Sequence, residues 1–255
     1  MATRFALISD LHSNMEALTA VFADIDARGI TEVHCLGDVV GYGPEPEAVC
    51  DLVRSRCSIV LRGNHDDAIF GDARRFNVIA REAISYTRQR LKPGLVPNRK
   101  VTERWEWLSK LVPAAPCGDA LFVHGSPRDP LNEYVYREDV LFNAETKLKD
   151  IFARHHPVTF CGHTHMPMVI SDAMLTFVPR DGAASCRMDP RRKYIVNVGS
   201  VGQPRDRDPR ACYAEVDNQM VTFHRVAYDI AATQKKIRAI PELNELLARR
   251  LEEGI

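Results

Sequence analysis

The chain has 255 residues, and its 34 lysines and arginines match its 34 aspartates and glutamates, so the formal net charge is zero with neutral histidines. That balance excludes capture of nucleic acid or of an anionic membrane by a positive field over the whole surface. A composition of 45% hydrophobic and 27% charged residues is ordinary for a globular protein, and the length fits one large domain or two small ones.

Short apolar runs rich in β-forming residues alternate with helical stretches, which is typical of a layered α/β architecture. The first five strands are predicted at residues 4–8, 33–36, 58–61, 120–123 and 158–161. Ser13 and Glu16 have the spacing of a capping box for a helix that runs to about Arg28. Residues 68–112 lack strand signals and are predicted to be helical, and so is the stretch 143–155.

Beyond residue 165 the strand signals lie closer together. Further strands are predicted at residues 168–170, 175–178, 194–198, 211–216 and 221–226. Their close spacing favours an antiparallel second sheet built from these strands. Residues 228–255 are predicted to form two helices interrupted by Pro241, and no interdomain linker is evident, so we expect residues 1–255 to form a single domain.

Each of the five early strands ends in a turn that carries polar side chains with lone pairs. In chain order these are Asp10 and His12, Asp38, Asn64 and His65, His124, and His163 and His165. One Asp-x-His or His-x-His turn is usually structural, but five such turns in order after five strands are hard to attribute to chance. Because ligands bind at the carboxyl ends of strands in open α/β sheets, we expect these side chains to converge on one crevice.

These ligand types indicate the kind of metal. Histidine, carboxylate and amide donors together suit manganese, iron, zinc, cobalt or nickel better than magnesium alone. Seven candidate ligands exceed the needs of one tetrahedral site, and one carboxylate can bridge two ions, so two metals are predicted. Gly37, Gly63 and Gly162 fit a close backbone approach to this centre, although ordinary turn formation explains each of them equally well.

The same residues carry a family resemblance. The order Asp10-x-His12, Gly37-Asp38, Gly63-Asn64-His65-Asp66, His124 and Gly162-His163-x-His165 resembles that of the calcineurin-like metallophosphoesterase superfamily. The resemblance spans residues 10–165 and includes every metal-binding motif. It implies an α/β fold, namely a four-layer α/β/β/α sandwich of two mixed sheets, here with 68–112 as a helical insertion and 228–255 as C-terminal helices.

The resemblance also implies a role for each residue, around two divalent ions about 3.5 Å apart. The first ion is held by Asp10, His12 and His165, the second by Asn64, His124 and His163, with Asp38 as the bridge. His65 is then the catalytic histidine that binds no metal. The implied reaction is in-line attack of a metal-bridging hydroxide on a phosphoester, with His65 stabilising the transition state or protonating the leaving oxygen. Manganese is the first choice for the ions, with iron, zinc, cobalt or nickel as alternatives.

The second motif departs from part of the family. Protein serine/threonine phosphatases and symmetrical diadenosine tetraphosphatases read Gly-Asp-x-Val-Asp-Arg-Gly, whereas Gly41 and Tyr42 replace the aspartate and arginine here. The arginine that holds the phosphate and the aspartate that pairs with the catalytic histidine are therefore missing. The chain looks more like the small prokaryotic phosphodiesterases and their diadenosine tetraphosphatase-like group. Asp66 or Asp67 could orient His65, but a helix cap is the favoured role for either.

The sequence does not identify the residues that bind the substrate. Residues 180–210 hold eight arginines and lysines against four aspartates, an excess that suits extra phosphates but fits a solvated loop better. The turn at 197–204, which follows a predicted strand, is equally compatible with a structural role and with a wall of the site. Tyr42 and Tyr134 are weak candidates for contact with a base.

We expect a hydrolase acting on small phosphodiesters or phosphomonoesters, with a nucleotide as the favoured form, and the oligomeric state stays open. A dinucleoside polyphosphate hydrolase is the close alternative. A non-catalytic, metal-binding interaction scaffold is the alternative of another class, and the presence of His65 with all seven ligands argues against it. An all-helical phosphohydrolase built on His65-Asp66 conflicts with motifs placed at strand ends.

Location follows from the remaining features. The seven scattered cysteines form no Cys-x-x-Cys pair and are expected to be reduced thiols. Neither a signal peptide nor a run of about 20 apolar residues is evident. We therefore expect a cytoplasmic protein without membrane contact.

Overall fold

Two mixed β-sheets of six strands each form the centre of the computed structural model, which describes residues 4–96, 98–154, 156–180 and 183–255. The strands of the first sheet are β1 (Arg4–Ile8), β2 (Val33–Cys35), β3 (Ile59–Val60), β9 (Ala184–Arg187), β11 (Ala211–Asp217) and β12 (Met220–Val226). Their spatial order is β3-β2-β1-β11-β12-β9, in which β1, β2 and β3 are parallel and the rest antiparallel.

The second sheet contains the remaining strands. They are β4 (Ala114–Cys117), β5 (Ala120–Val123), β6 (Val158–Cys161), β7 (Met168–Ser171), β8 (Thr176–Phe177) and β10 (Tyr194–Asn197). The order is β4-β5-β6-β10-β7-β8, with β5, β6 and β10 parallel. Each sheet thus has parallel strands at its centre whose carboxyl ends can share one site.

Helices cover the outer face of both sheets. They are α1 (Met15–Ala27), α2 (Pro46–Arg56), α3 (Asn64–Ala68), α4 (Val78–Leu91), α5 (Arg99–Ser109), α6 (Asp139–Phe142), α7 (Lys149–Ala153), α8 (Ile230–Arg238) and α9 (Glu245–Glu253). A π-helical turn, Ala144–Leu148, joins α6 to α7, so the single helix predicted over 143–155 is a composite one. None of the helices in the described part of the chain is long and apolar enough to span a membrane.

The alternation of side chains along the strands produces the layers. In β1, Ala6 and Ile8 pack against the helices, whereas Leu7 packs between the sheets. In the second sheet, Val123 packs with Leu148 on the other helical layer. The order helix, sheet, sheet, helix confirms the predicted four-layer α/β sandwich.

The expectation of an antiparallel second sheet made by all strands after residue 165 is wrong. Strands β11 and β12 form a hairpin, but β11 joins the first sheet as the antiparallel neighbour of β1. The short distance between two strands in the sequence predicts that they form a hairpin, but it does not predict which sheet the hairpin joins. Two strands, β4 and β9, were absent from the prediction; both are edge strands, and β4 contains Pro116.

The start of α1 also differs from the expected capping box. Ser13 has a positive φ of 55°, and Asn14 is the N-cap, with its side-chain oxygen accepting from Ala17 N at 3.1 Å. The amide of Asn14 donates to the Gly202 carbonyl at 2.9 Å. One asparagine therefore caps the helix and ties it to the turn after β10.

The two helical additions pack on each other. Ala80, Ala83 and Tyr86 of α4 share an apolar cluster with Ile237 of α8 and Leu247 of α9. Helices α4, α5, α8 and α9 lie where the sequence predicts helices, and Pro241 falls between α8 and α9. That residues 1–255 form one domain stays a prediction.

Candidate metal centre

The turns after β1, β2, β3, β5 and β6 meet in one place, as their positions at the ends of parallel strands predict. Asn64 is half-buried, and the other predicted ligands are all buried, with exposures of 4% or less for Asp10, His12, Asp38, His124, His163 and His165. His65 lies beside them and is also buried. The structure thus brings together every residue of the predicted site.

The first group of donor atoms belongs to Asp10, His12 and His165. The Asp10 Oδ1 lies 3.2 Å from His165 Nε2 and 3.9 Å from His12 Nε2. The two histidine Nε2 atoms are themselves 3.2 Å apart. These three atoms converge on one point, which is the arrangement of ligands around an ion.

The second group belongs to Asp38, His124 and His163, with Asn64 next to them. His124 Nε2 is 3.1 Å from Asn64 Oδ1 and 3.4 Å from Asp38 Oδ2. The same Asp38 Oδ2 lies 3.7 Å from His12 Nε2, which belongs to the first group. Asp38 therefore lies between the two groups, in the position of a shared ligand.

The outer ring nitrogen of each of the four histidines faces a backbone carbonyl. The pairs are His12 Nδ1 with Val40 O at 3.2 Å, His124 Nδ1 with Leu36 O at 3.0 Å, His165 Nδ1 with Gln203 O at 2.6 Å, and His163 Nε2 with Asn132 O at 3.3 Å. A carbonyl only accepts, so each of these nitrogens carries the proton. Such second contacts fix the tautomer and the ring orientation of metal-binding histidines.

The inner Nε2 atoms of His12 and His165 then present lone pairs to each other, and this tests whether a metal fits. Two lone pairs 3.2 Å apart at His12 and His165 cannot form a hydrogen bond. Asp10 Oδ1 points into the same space and has no hydrogen-bond partner among the described residues. Converging nitrogen and oxygen lone pairs, buried from water, match the requirements of a divalent cation.

Electrostatics agree with this interpretation. Burial lowers the pKa of His163 to about 3 and also lowers the pKa of His165, which keeps both rings in the neutral form that metals bind. His124 differs, because the carboxylates of Asp38 and Asp10 outweigh the effect of burial and raise its pKa to about 9. A cation would have to displace that proton.

The backbone at the cluster is strained. Positive φ angles occur at five of the predicted ligands, namely Asp10 (53°), His12 (47°), Asp38 (51°), His163 (67°) and His165 (62°). Such angles in non-glycine residues cost about 1–3 kcal/mol each and are concentrated at functional sites. A Cβ on Gly63 would overlap Asp38, and one on Gly162 would overlap Asp10. These two glycines therefore allow the close approach predicted for them.

The turn after β10 supports the cluster from behind. Ser200 Oγ donates to the Asp10 carbonyl at 2.8 Å, and Gly202 N donates to the same oxygen at 2.9 Å. Asn197 Nδ2 donates to Thr164 Oγ1 at 2.9 Å, between the two histidines of the last motif. Of the two interpretations of residues 197–204 that the sequence left open, these hydrogen bonds favour the structural role, in direct support of the site.

Comparison with known proteins agrees with the geometry. Residues 3–219 match the model of the calcineurin-like phosphoesterase superfamily domain. The chain belongs to this superfamily. Its members typically bind divalent metals, and in this metallophosphoesterase the aspartate and histidine groups are where a metal could bind.

Two relatives and one further solved structure each cover almost the whole chain. The uncharacterized protein MJ0912 of Methanocaldococcus jannaschii is 34% identical over 258 residues, which are 98% of this chain and 97% of that protein. A metallophosphoesterase from Sphaerobacter thermophilus, solved by crystallography, is 39% identical over 100% of both chains, with a TM-score of 0.82. The hypothetical protein PH1004 from Pyrococcus horikoshii OT3 has a TM-score of 0.75 at 19% identity over 99% of this chain and 98% of its own, and it shares the fold.

His65 of the metallophosphoesterase lies between the cluster and a pocket. Its backbone N–H donates to Asp38 Oδ1 at 2.8 Å, and its ring contacts those of Tyr42 and Phe76, at centroid distances of 4.4 Å and 5.0 Å. Nδ1 is enclosed against Gly41 without a partner among the described residues, and the His65 side chain lines the pocket. Burial lowers the pKa of His65 to about 4, so the ring is neutral at neutral pH.

Asp66, next to His65, acts on the backbone. Its carboxylate accepts from Gly63 N at 2.9 Å, Val40 N at 3.0 Å and Val39 N at 3.3 Å. These bonds fix the start of α3 and the turn that follows Asp38. The capping role favoured from the sequence is the one observed.

The pocket beside the cluster has a volume of about 410 Å³. Its wall includes aromatic and arginine side chains, among them Tyr42, Phe76, Tyr134, Arg75, Arg205 and Arg250. The Tyr134 ring stacks on His163 at 3.8 Å, and the Arg205 guanidinium lies 5.7 Å from the Tyr42 ring centre. Tyr42 and Tyr134, the weak candidates for contact with a base, both line this pocket, and Arg205 belongs to the basic segment 180–210. Arg75, Phe76 and Arg250 follow no sequence motif, because they come from segments outside the five turns of the cluster.

Proposed function

We propose that this chain is a dinuclear metal-dependent phosphoesterase that hydrolyses phosphodiester or phosphomonoester bonds of small, nucleotide-like substrates. The observation that carries the proposal is the buried cluster of carboxylate oxygens and histidine nitrogens beside His65, in which a carbonyl contact orients each of the four histidine rings. Membership of the phosphoesterase superfamily supports the reaction class.

In this proposal the seven ligands divide between two ions. Asp10, His12 and His165 hold the first, Asn64, His124 and His163 hold the second, and Asp38 is shared. The position of Asp38 Oδ2, 3.4 Å from His124 Nε2 and 3.7 Å from His12 Nε2, supports the shared role. Manganese is our first choice, because the donors mix nitrogen with oxygen and the site is not of the all-oxygen type.

The ions, when bound, supply Lewis-acid polarisation of the phosphoryl group and lower the pKa of water. The chain itself orients the substrate and handles the proton. A phosphate bound beside His65 would favour the imidazolium form of the ring, which donates a proton to the leaving oxygen as its bond to phosphorus breaks and then returns to the neutral form. The Tyr42 and Phe76 rings exclude water from the enclosed side of His65.

Metal analysis combined with a substrate panel tests the proposal. We expect about two divalent ions per chain in the protein as isolated or after incubation with manganese. We also expect hydrolysis of p-nitrophenyl phosphate, bis-p-nitrophenyl phosphate or diadenosine tetraphosphate. Two bound ions without hydrolysis of any substrate would favour the non-catalytic scaffold, and one ion per chain would rule out the dinuclear centre.

A further inference from the structure

Three arginines line the pocket next to the metal ligands and come from three separate segments. Arg75 precedes α4, Arg205 follows the turn after β10, and Arg250 lies on α9. Two of these segments are the helical additions to the metal-binding core. Among the described residues that line this pocket, no side chain carries a carboxylate. We refer to Arg75, Arg205 and Arg250 as the arginine mouth.

The arginine mouth lacks the ion pairs that neutralise other basic residues nearby. In the basic segment 180–210, Arg191 pairs with Asp189 at 2.7 Å and Arg192 with Asp172 at 3.5 Å. Within the described part of the chain, no carboxylate forms an ion pair with any arginine of the mouth. Arg205 instead donates a hydrogen bond to Gln203 Oε1 at 2.7 Å. The mouth is thus a local concentration of positive charge in a neutral protein.

Two of these charges also act on each other. Arg205 and Arg250 line the same pocket, and partial burial together with the neighbouring charge of Arg205 lowers the pKa of Arg250. Unneutralised like charges destabilise the folded protein unless an anion binds between them. Guanidinium groups favour phosphate over other anions because their planar donors match pairs of phosphate oxygens.

A single phosphate group does not account for this charge. Two divalent ions would bring four positive charges, and Asp10, Asp38 and a bridging hydroxide would return three, so a phosphomonoester dianion exceeds the charge of the metal centre by one. One charge of the mouth balances that excess, and two remain. The pocket volume of about 410 Å³ is within the range of sites for whole small molecules, and it is larger than one phosphate needs.

We propose that the arginine mouth binds a second phosphate group of the substrate, so that the preferred substrates are small organic phosphates with two or more phosphate groups. This inference rests on the proposed phosphoesterase function and specifies its substrate class. The second phosphate is either attached elsewhere on the same nucleoside or joined to the first in a polyphosphate chain. Both forms offer the same oxygens to the three guanidinium groups.

A kinetic comparison tests the inference. We expect kcat/KM for adenosine 3′,5′-bisphosphate or diadenosine tetraphosphate to exceed that for adenosine 3′- and 5′-monophosphates by about tenfold or more, as for an added charge-assisted contact. Preference for the bisphosphate indicates separate phosphates, and preference for the tetraphosphate indicates a chain. Equal kcat/KM for all four substrates would overturn the inference.

Matched variants locate the effect. Arg75→Gln and Arg250→Gln should each reduce the preference for the second phosphate by about fivefold or more, since each removes one charged contact. The controls are Arg81→Gln on α4 and Arg249→Gln on α9. Each control removes one positive charge from the same region as its test variant, but neither arginine lines the pocket. Equal changes in all four variants would show that only general charge matters, and the inference would fail.

A binding measurement separates this inference from the proposed function. Calorimetric titration of the metal-loaded His65→Ala protein, in which turnover is slow, with adenosine 3′,5′-bisphosphate and with adenosine 5′-monophosphate compares binding alone. The bisphosphate could bind more tightly than the monophosphate, lose that advantage in Arg75→Gln and Arg250→Gln, and yet no substrate be hydrolysed by the unsubstituted protein. That result would support the second-phosphate site and contradict the proposed phosphoesterase activity. Hydrolysis of monophosphates together with equal binding of both nucleotides would retain the enzyme and reject the subsite.

Discussion

The metal-ligand cluster and the arginine mouth border the same pocket but are built in opposite ways. In the cluster, side chains are buried and each histidine is fixed by a carbonyl, whereas the mouth holds charges without ion-pair partners among the described residues. The cluster comes from the ends of sheet strands, and two of the three mouth residues come from the helical additions. On the proposed function, the cluster would carry out the reaction and the arginine mouth would select the substrate, so different parts of the fold would serve the two tasks.

The largest expected effect comes from the one residue shared by both ligand groups. Asp38→Asn removes the charge between His12 and His124, so we expect loss of metal from both positions and a fall in kcat/KM beyond the ~10- to 100-fold typical of outer contacts. Metal analysis and hydrolysis of p-nitrophenyl phosphate measure it. Asp26→Asn is the control, because Asp26 is exposed and pairs with Arg56 on the surface. Unchanged metal content would remove Asp38 from the shared position.

The next largest effect is expected on kcat when His65, which lies between the cluster and the pocket, is replaced. His65→Ala should retain the metals but reduce kcat by about 10²-fold, since proton donation is lost while the ligands stay in place. His65→Asn, which keeps a polar side chain of similar width, should show the same fall if the proton is what matters. A normal rate in either variant, with normal metal content, would make His65 a structural residue.

A smaller effect is expected where the backbone supports the cluster. Asp66→Asn exchanges one acceptor oxygen for a donor that faces a backbone N–H, and this should lower the free energy of unfolding by about 1–3 kcal/mol. Denaturant titration measures the change. Asp67→Asn removes only a half-exposed ion pair with Arg62, and its cost should be under about 1 kcal/mol. Equal costs for the two variants would contradict the capping role of Asp66.

The smallest expected effect is a change in KM with salt concentration, and it distinguishes the arginine mouth from the buried cluster. Charges at the open mouth are screened within about 10 Å at 0.1 M salt, whereas the buried cluster is screened much less. Raising the ionic strength should therefore increase KM several-fold for adenosine 3′,5′-bisphosphate and less for the 5′-monophosphate. Parallel changes in KM for both nucleotides would show that the mouth does not contribute a separate contact.

Much of the fold could be read from local patterns, and the errors follow from long-range pairing. Strands with continuous apolar runs, such as β1 and β6, were predicted at their observed places. The edge strands β4 and β9 were missed because edge strands need little apolar surface. The assignment of β11 to the first sheet depends on a partner about 200 residues away, Arg4 opposite Asp217, which spacing along the chain does not encode.

The sequence by itself determined which residues meet at the cluster, because each ligand follows a strand and the strand ends of parallel sheets share an edge. It also determined the superfamily, whose motifs lie in that order along the chain. The carbonyl that orients each histidine and the arginines that line the pocket beside the cluster became known only from the tertiary structure. Arg75, Arg205 and Arg250 are far apart in sequence and follow no motif, so their meeting in one pocket results from the packing of the helical additions against the core.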